Sequence, residues 1–238
     1  MDYNNLGLKI GLECHQQLET HKLFCKCPSL VNDPNKPDIF FERQLHISAG
    51  ELGSQDEAAV YEIKKGKTFC YEACSSSSCL VEMDDEPPKP ANKDAINAAL
   101  EVSLLLNAKP VDVMQLMRKT VLDGSNVSGF QRTMLISTDG YVETSKGKVG
   151  IQTICLEEEA AKKIKEEENS VTYRLDRLGV PLIEIATDAS IKDPEHAKEV
   201  ASILGMILRS AGKAKRGLGS IRQDINLSIK NKSRVELK

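Results

Sequence analysis

The sequence predicts an α+β fold in which a mixed, mainly antiparallel sheet is flanked by helices. Short runs that alternate apolar and polar residues predict strands, and two longer runs with apolar residues at helical spacing predict helices. The two kinds of run do not alternate as regular βαβ units would. The 238 residues correspond to one large or two small domains, and the 40% apolar share is enough for a packed core.

The first predicted strand is the run from Lys9 to Leu18. Because successive side chains of a strand point to opposite faces, this run has one apolar and one polar face. The apolar face carries Ile10, Leu12 and Cys14. The polar face carries Glu13 and His15, so the strand presents two ionisable groups side by side.

The next stretch has no sustained periodicity and holds five of the seven cysteines. Its last part, Asp84 to Pro90, combines acids with prolines, which cannot continue a helix or a strand ladder. We therefore predict an irregular Cys-containing insert at about 25–90.

Two helices follow. The first runs from Asn92 to Asn107, and Pro110 lies beyond its end. Its predicted apolar stripe includes Ile96, Leu100 and Leu104. The second runs from Asp193 to Ala211, with Asp193 as N-cap and Pro194 at the first helical position. Its predicted stripe contains Ala197, Val200, Ala201, Leu204, Ile207 and Leu208.

Three further strands are predicted at Lys148 to Cys155, Pro181 to Asp188 and Ile221 to Ile229. In the second of them Glu184 lies within an otherwise apolar stretch. In the third, Ile225 and Leu227 would face the core while Asp224 points the other way.

Composition argues against several classes of protein. With 28% charged residues, no run of 18 apolar residues and no N-terminal signal pattern, we expect a soluble cytoplasmic protein without a membrane span. The 4% aromatic share, without Trp, leaves little material for stacking on bases. Residues 209–238 contain nine Lys or Arg and two acids, although the whole chain carries −3. This basic end could bind phosphates or could be a solvated charged surface.

Acids in apolar surroundings are the strongest chemical signal. A carboxylate in the middle of an apolar strand is costly to bury unless a cation pairs with it. Magnesium takes oxygen ligands and bridges to phosphate oxygens, so converging carboxylates indicate a metal and nucleotide site. A single acid of this kind is more often a surface residue or a salt-bridge partner. Gly66-Lys67-Thr68 mimics the end of a phosphate-binding loop, but Tyr61 stands where that motif requires its first glycine.

The cysteines favour free thiols or a metal site, because their number is odd and no export signal precedes them. Zinc could take four thiolates from the set Cys25, Cys27, Cys70, Cys74 and Cys79, and the expected ligands are Cys25, Cys27, Cys70 and Cys74. Their spacing is irregular compared with the usual paired motifs, so reduced, partly buried thiols are the alternative.

Several motifs together resemble the B/E subunit family of the glutamyl-tRNA(Gln) amidotransferases, in the same order and over essentially all 238 residues. The motifs are Gly11 to Leu18, Leu156 to Ala160, Asp176 to Ile185, Ser220 to Asn226 and Val235 to Lys238. Within the family, the segments Asp123 to Thr133 and Lys215 to Gly219 look like those of the archaeal E subunits.

The resemblance implies an incomplete, cradle-type catalytic domain spanning 1–238, since family members carry further helical, tail and synthetase-like domains. It implies a ligase reaction in which ATP phosphorylates the Glu of mischarged Glu-tRNA(Gln) and ammonia then displaces phosphate to give Gln-tRNA(Gln). The implied cofactors are ATP and magnesium, with zinc as an open question. The implied partners are the tRNA and an ammonia-supplying D subunit of asparaginase type, in a hetero-oligomer.

The resemblance also implies the site residues. The positions that match the family's divalent-metal ligands are Glu13, His15, Glu158, Glu184, Asp224 and Glu236. Of these, Glu13, His15, Glu158 and Glu184 are the expected catalytic residues. The expected contacts to substrate or tRNA are Arg132, Lys215, Arg216 and Arg222. Two alternatives stay open: a noncatalytic fragment of the same fold that docks tRNA or a subunit, and a zinc-stabilised structural domain.

Overall fold

The computed structural model describes residues 3–45, 55 and 57–238. Within these ranges the chain forms two sheets with helices packed on the larger one, and mostly antiparallel pairing confirms the predicted α+β fold. The helices are α1 (Tyr3–Leu6), α2 (Glu57–Lys64), α3 (Lys93–Leu105) and α4 (Pro194–Ser210). The strands are β1 (Lys9–Gln17), β2 (Ile39–Gln44), β3 (Thr68–Ala73), β4 (Lys109–Pro110), β5 (Leu116–Thr120), β6 (Phe130–Thr144), β7 (Gly147–Glu158), β8 (Lys162–Glu166), β9 (Ser170–Arg174), β10 (Pro181–Thr187), β11 (Ile221–Ser228) and β12 (Val235–Leu237).

The larger sheet has eight strands in the order β12-β11-β1-β10-β7-β6-β4, and β5 also pairs with β6. All its strand pairs are antiparallel. One face packs against α3 and α4 and is apolar, as the alternation in β1 predicts. Fully burying a large apolar side chain stabilises the fold by roughly 1.5–3 kcal/mol, so this face is the main source of stability. The opposite face is free to carry polar groups.

Both predicted long helices are confirmed, and each begins at a residue whose side chain caps it. The Asn92 side chain accepts hydrogen bonds from the backbone N–H groups of Asp94 and Ala95 at the start of α3. The Asp193 side chain accepts one from the N–H of His196 at the start of α4. The predicted stripe of α4 is largely correct, but that of α3 is shifted. Its buried residues are Ala95, Ala98, Ala99, Val102 and Ser103, and Leu104 is 69% exposed.

The smaller sheet has the order β2-β3-β9-β8, and its central pair β3–β9 is parallel. Phe69, Tyr71 and Tyr173 are buried in a second apolar core. The hydroxyls of Tyr71 and Tyr173 donate hydrogen bonds to the carbonyls of Gly124 and Asp123, at 2.8 Å and 2.7 Å. The segment predicted as an irregular insert at about 25–90 therefore also supplies two regular strands, β2 and β3. Residues 46–54 and 56 of that segment lie outside the described residues.

None of the helices in the described ranges has the length and apolar character needed to cross a bilayer.

Candidate functional site

Five consecutive strands of the eight-stranded sheet, β12, β11, β1, β10 and β7, bring ionisable side chains together on its polar face. β1 lies between β10 and β11, so His15 is paired with Glu184 on one side and with Arg222 on the other. Glu13 is paired with Asp224. Residues directly opposite in an antiparallel pair have Cβ atoms about 5 Å apart. The strand register therefore makes neighbours of side chains that are far apart in sequence.

The first cluster, which we call the His15 group, contains His15, Glu157 and Glu184, with one ligand atom of each lying within 4.8 Å of the others. His15 Nε2 lies 3.3 Å from Glu184 Oε2. Burial lowers the pKa of His15, but the hydrogen bond to Glu184 and nearby carboxylate charge outweigh it, so the net pKa is raised. Burial, followed by the charge of Glu184, raises the pKa of Glu157. Two acids and one imidazole form a site that a cation would stabilise.

The second cluster, which we call the Glu13 group, contains Glu13, Asp224 and Glu236, again with ligand atoms within 4.8 Å of one another. Asn226 Nδ2 donates a hydrogen bond to Glu13 Oε1 at 3.0 Å and so fixes the direction of that carboxylate. Lys238 Nζ lies 3.7 Å from Asp224 and 3.6 Å from Glu236. Three oxygen donors of this kind suit a hard divalent cation such as magnesium.

The expected cation ligand Glu158 is not in either group, and Glu157 takes its place. Glu157 and Glu158 are successive residues of β7, so their side chains point to opposite faces. Arg132 binds Glu158 through its backbone N–H at 3.0 Å and its Nη1 at 3.1 Å. Burial raises the pKa of Glu158 to about 7, although Arg132 opposes the shift. The sequence has three adjacent glutamates and no information on register, so it did not distinguish between them.

The basic residues expected to bind substrate or tRNA are largely engaged within the protein. Arg132 pairs with Glu158, as above. The Nζ of Lys215 donates to the carbonyl of Ser29 and lies 3.5 Å from Glu19. Arg216 Nη2 donates to the carbonyl of Arg209 at 2.8 Å. Among these candidates Arg222 is the one paired with a residue of the His15 group.

The third cluster, which we call the thiol group, contains Cys25, Cys27, Cys79 and Glu82, with ligand atoms within 4.8 Å of one another. Glu82 accepts hydrogen bonds from Cys25 Sγ at 3.0 Å and from the backbone N–H of Cys79 at 2.8 Å. The hydrogen bond from Cys25 lowers the pKa of Cys27 to about 7, against the opposing effect of burial. Structural zinc sites take four ligands, among them thiolates and carboxylates, so the donors of this group suit that ion.

This cluster changes the expected zinc ligand set. Cys70 lies in β3 of the smaller sheet and Cys74 directly follows that strand, and they belong to none of the candidate metal groups among the described residues. Cys70 Sγ contacts Glu42, and Cys74 Sγ contacts the carbonyl of Asn35. Cys70 and Cys74 are held in and next to β3, away from the thiol group. The loop after β3 brings Cys79 to Cys25 and Cys27 instead.

Comparison with known proteins identifies relatives over the whole chain. The family described as the GatB/GatE catalytic domain matches residues 8–238. Curated proteins named as the E subunit of glutamyl-tRNA(Gln) amidotransferase are similar to the full chain. The chain is 54% identical to the one from Methanosarcina acetivorans, 54% identical to that from Methanocaldococcus jannaschii and 55% identical to that from Pyrococcus horikoshii. It spans 37%, 38% and 37% of these three relatives, respectively.

Proposed function

The chain belongs to the GatB/GatE catalytic-domain family, and from that premise we propose that it forms the catalytic domain of an ATP-dependent glutamyl-tRNA(Gln) amidotransferase. This enzyme would convert Glu attached to tRNA(Gln) into Gln. The observation that supports it best is that the His15 group and the Glu13 group lie on the same face of the larger sheet. Glu13 and His15 are two residues apart on β1, so the two groups are adjacent.

The chemistry needs such a site because a carboxylate is a poor acyl donor. In the first step the glutamyl side-chain oxygen attacks the γ-phosphorus of ATP, the bond to the bridging oxygen breaks, and ADP leaves with the electron pair. In the second step ammonia attacks the activated carbonyl carbon and inorganic phosphate leaves. Magnesium, when bound, offsets the charge repulsion between ATP and the carboxylate.

The residues of this chain have definable roles in that scheme. The His15 group would hold one cation and the Glu13 group a second. Asn226 orients Glu13 by its hydrogen bond. Lys119 Nζ lies 3.8 Å from Glu157 and limits the negative charge of the His15 group. These contacts fix the carboxylates before any ligand arrives, which is what electrostatic catalysis requires.

The proposed partners follow from the name of the relatives, since a protein named as one lettered subunit of an amidotransferase acts with other subunits. We propose Glu-tRNA(Gln) as substrate and an ammonia-supplying subunit of asparaginase type. The exposed residues Lys213, Lys230, Lys232 and Arg234 are suited to contact phosphates of the tRNA.

A structural role for zinc is proposed at the thiol group. Lys22 is fully buried beside it, with Nζ 4.0 Å from Glu82. Three thiolates and a carboxylate around one Zn²⁺ carry a net negative charge. The buried ammonium group of Lys22 would lower the free-energy cost of burying that charge. Zinc would tie the segment after β1 to the loop after β3.

The decisive experiment measures ADP release that depends on Glu-tRNA(Gln), using the intact amidotransferase that contains this chain. We expect the wild-type complex to release ADP only with the charged tRNA, and Glu184→Ala to abolish the release. If neither protein releases ADP but both bind the tRNA, the domain is a docking module and the proposed function is wrong.

A further inference from the structure

Arg222 occupies a position that the two cation groups do not explain. It lies on β11, paired with His15 and two residues from Asp224 on the same face of the sheet. Its side chain is 48% exposed. A guanidinium beside two sites suited to cations repels those cations, because like charges a few ångströms apart are unfavourable. The buried carboxylate of Glu159 offsets part of this repulsion, and an anion bound beside the exposed part of the guanidinium would offset the rest.

One nitrogen of the Arg222 guanidinium is fixed by the buried side chain of Glu159. Arg222 Nη2 donates to both oxygens of Glu159, at 3.0 Å and 3.2 Å. Glu159 is 4% exposed and also accepts a hydrogen bond from Gln17 Nε2 at 2.9 Å. Gln17 ends β1, and Glu159 directly follows β7. The three side chains therefore connect strands that are not all neighbours, and they fix the guanidinium relative to the His15 group.

The other guanidinium nitrogens, Nε and Nη1, have no hydrogen-bond acceptor in the described part of the chain. Arginine presents its N–H groups as a planar fork that matches the oxygens of a phosphoryl group. A half-exposed fork, anchored at one corner by a buried acid, is suited to contact an anion on the open side of the sheet.

We propose that Arg222 contacts the γ-phosphoryl group of ATP while it passes to the glutamyl carboxylate, an inference that rests on the proposed function. During that transfer the bond from phosphorus to the bridging oxygen of ADP breaks and a bond to the carboxylate oxygen forms. Arg222 stabilises the charge on the phosphoryl oxygens that do not take part in either bond. Arg222 is then a catalytic residue, and Glu159 and Gln17 are positioning residues.

The test uses Arg222→Lys in the intact amidotransferase complex, because lysine keeps the charge opposite buried Glu159 but lacks the fork. Equilibrium binding of ATP and of ADP, each with magnesium, is measured by calorimetry without tRNA. We expect wild type to bind ATP more tightly than ADP and R222K to lose most of that preference, about tenfold. The rate of ADP release with Glu-tRNA(Gln) is expected to fall on the order of 100-fold.

Two further variants separate catalysis from structure. Arg174 in the smaller sheet also lies beside a buried acid, with Nε 3.6 Å from Asp176, so Arg174→Lys is the matched control and should leave the ATP preference unchanged. Glu159→Gln should reduce the rate, and adding it to R222K should cause no further loss, since both act through one contact.

The outcomes distinguish the two proposals. If R222K keeps both the ATP preference and the rate, or if wild type shows no preference for ATP, the role of Arg222 is wrong. If wild type prefers ATP through Arg222 but releases no ADP with the charged tRNA, the proposed function fails and the contact to the γ-phosphoryl group stands.

Discussion

The carboxylates on the two sheets of this protein have different neighbours. On the eight-stranded sheet acids face other acids, as Glu157 faces Glu184, and burial together with that charge raises the pKa of Glu157. Beside the four-stranded sheet, Asp33 is instead bound by hydrogen-bond donors. Asp33 accepts from the hydroxyl of Ser76 at 2.7 Å and from the N–H of Asn35 at 2.9 Å, and these bonds lower its pKa to about 2.

This difference separates functional from structural acids on physical grounds. Clustered carboxylates cost the protein free energy that a bound cation would reduce, so such a cluster indicates a cation site. Carboxylates bound by N–H and O–H groups stabilise the protein without any ligand. The larger sheet therefore carries the candidate chemistry, and the smaller sheet with its surrounding loops supports the fold.

The largest expected effect comes from removing one of the facing acids. Glu157→Gln should weaken Mn²⁺ binding, measured by electron paramagnetic resonance, and should slow tRNA-dependent ADP release on the order of 1,000-fold. Glu158→Gln is the control, because Glu158 is bound by Arg132 on the other face and should leave cation affinity within about threefold. An equal loss of Mn²⁺ binding in both variants would contradict the assignment of Glu157, and not Glu158, as the cation ligand.

A smaller effect is expected at the thiol group. Cys79→Ser should abolish stoichiometric zinc, measured by elemental analysis after purification without chelator, and should lower the free energy of unfolding by at least about 3 kcal/mol. Cys70→Ser should retain zinc and lose less than about 0.5 kcal/mol. Zinc that survives in Cys79→Ser and disappears in Cys70→Ser would restore the ligand set expected from the sequence.

The smallest effect is expected at Asp33. Its folded-state pKa is lowered from 3.8 to about 2, so its ionised form stabilises the protein above pH 4, and this contribution is lost as the pH falls toward 2. Asp33→Asn should cost on the order of 1 kcal/mol at pH 7, measured by urea unfolding. The difference from wild type should shrink between pH 4 and pH 2. A difference that stays constant over this range would mean that the charge of Asp33 is irrelevant.

Local features of the fold could be predicted because they depend on nearby residues. The alternation in β1 placed Glu13 and His15 on one polar face. Apolar residues at helical spacing located both long helices, with Asp193 as the predicted cap of the second. Helix faces were less certain, since the small side chains of α3, such as Ala95 and Ala99, are buried in place of Leu104. Close packing of a helix on a sheet favours small residues at the contact, which hydrophobicity alone does not indicate.

The sequence by itself determined the two long helices, four strands of the larger sheet and the family motifs, because chain geometry and short-range patterns specify them. Only the tertiary structure decided that Glu157 joins His15, that Cys79 and Glu82 join Cys25, and that Glu159 anchors Arg222. These choices depend on which residues of distant strands and loops lie opposite one another. Cross-strand register follows from the packing of the whole sheet, and a shift of one residue moves every side chain to the other face.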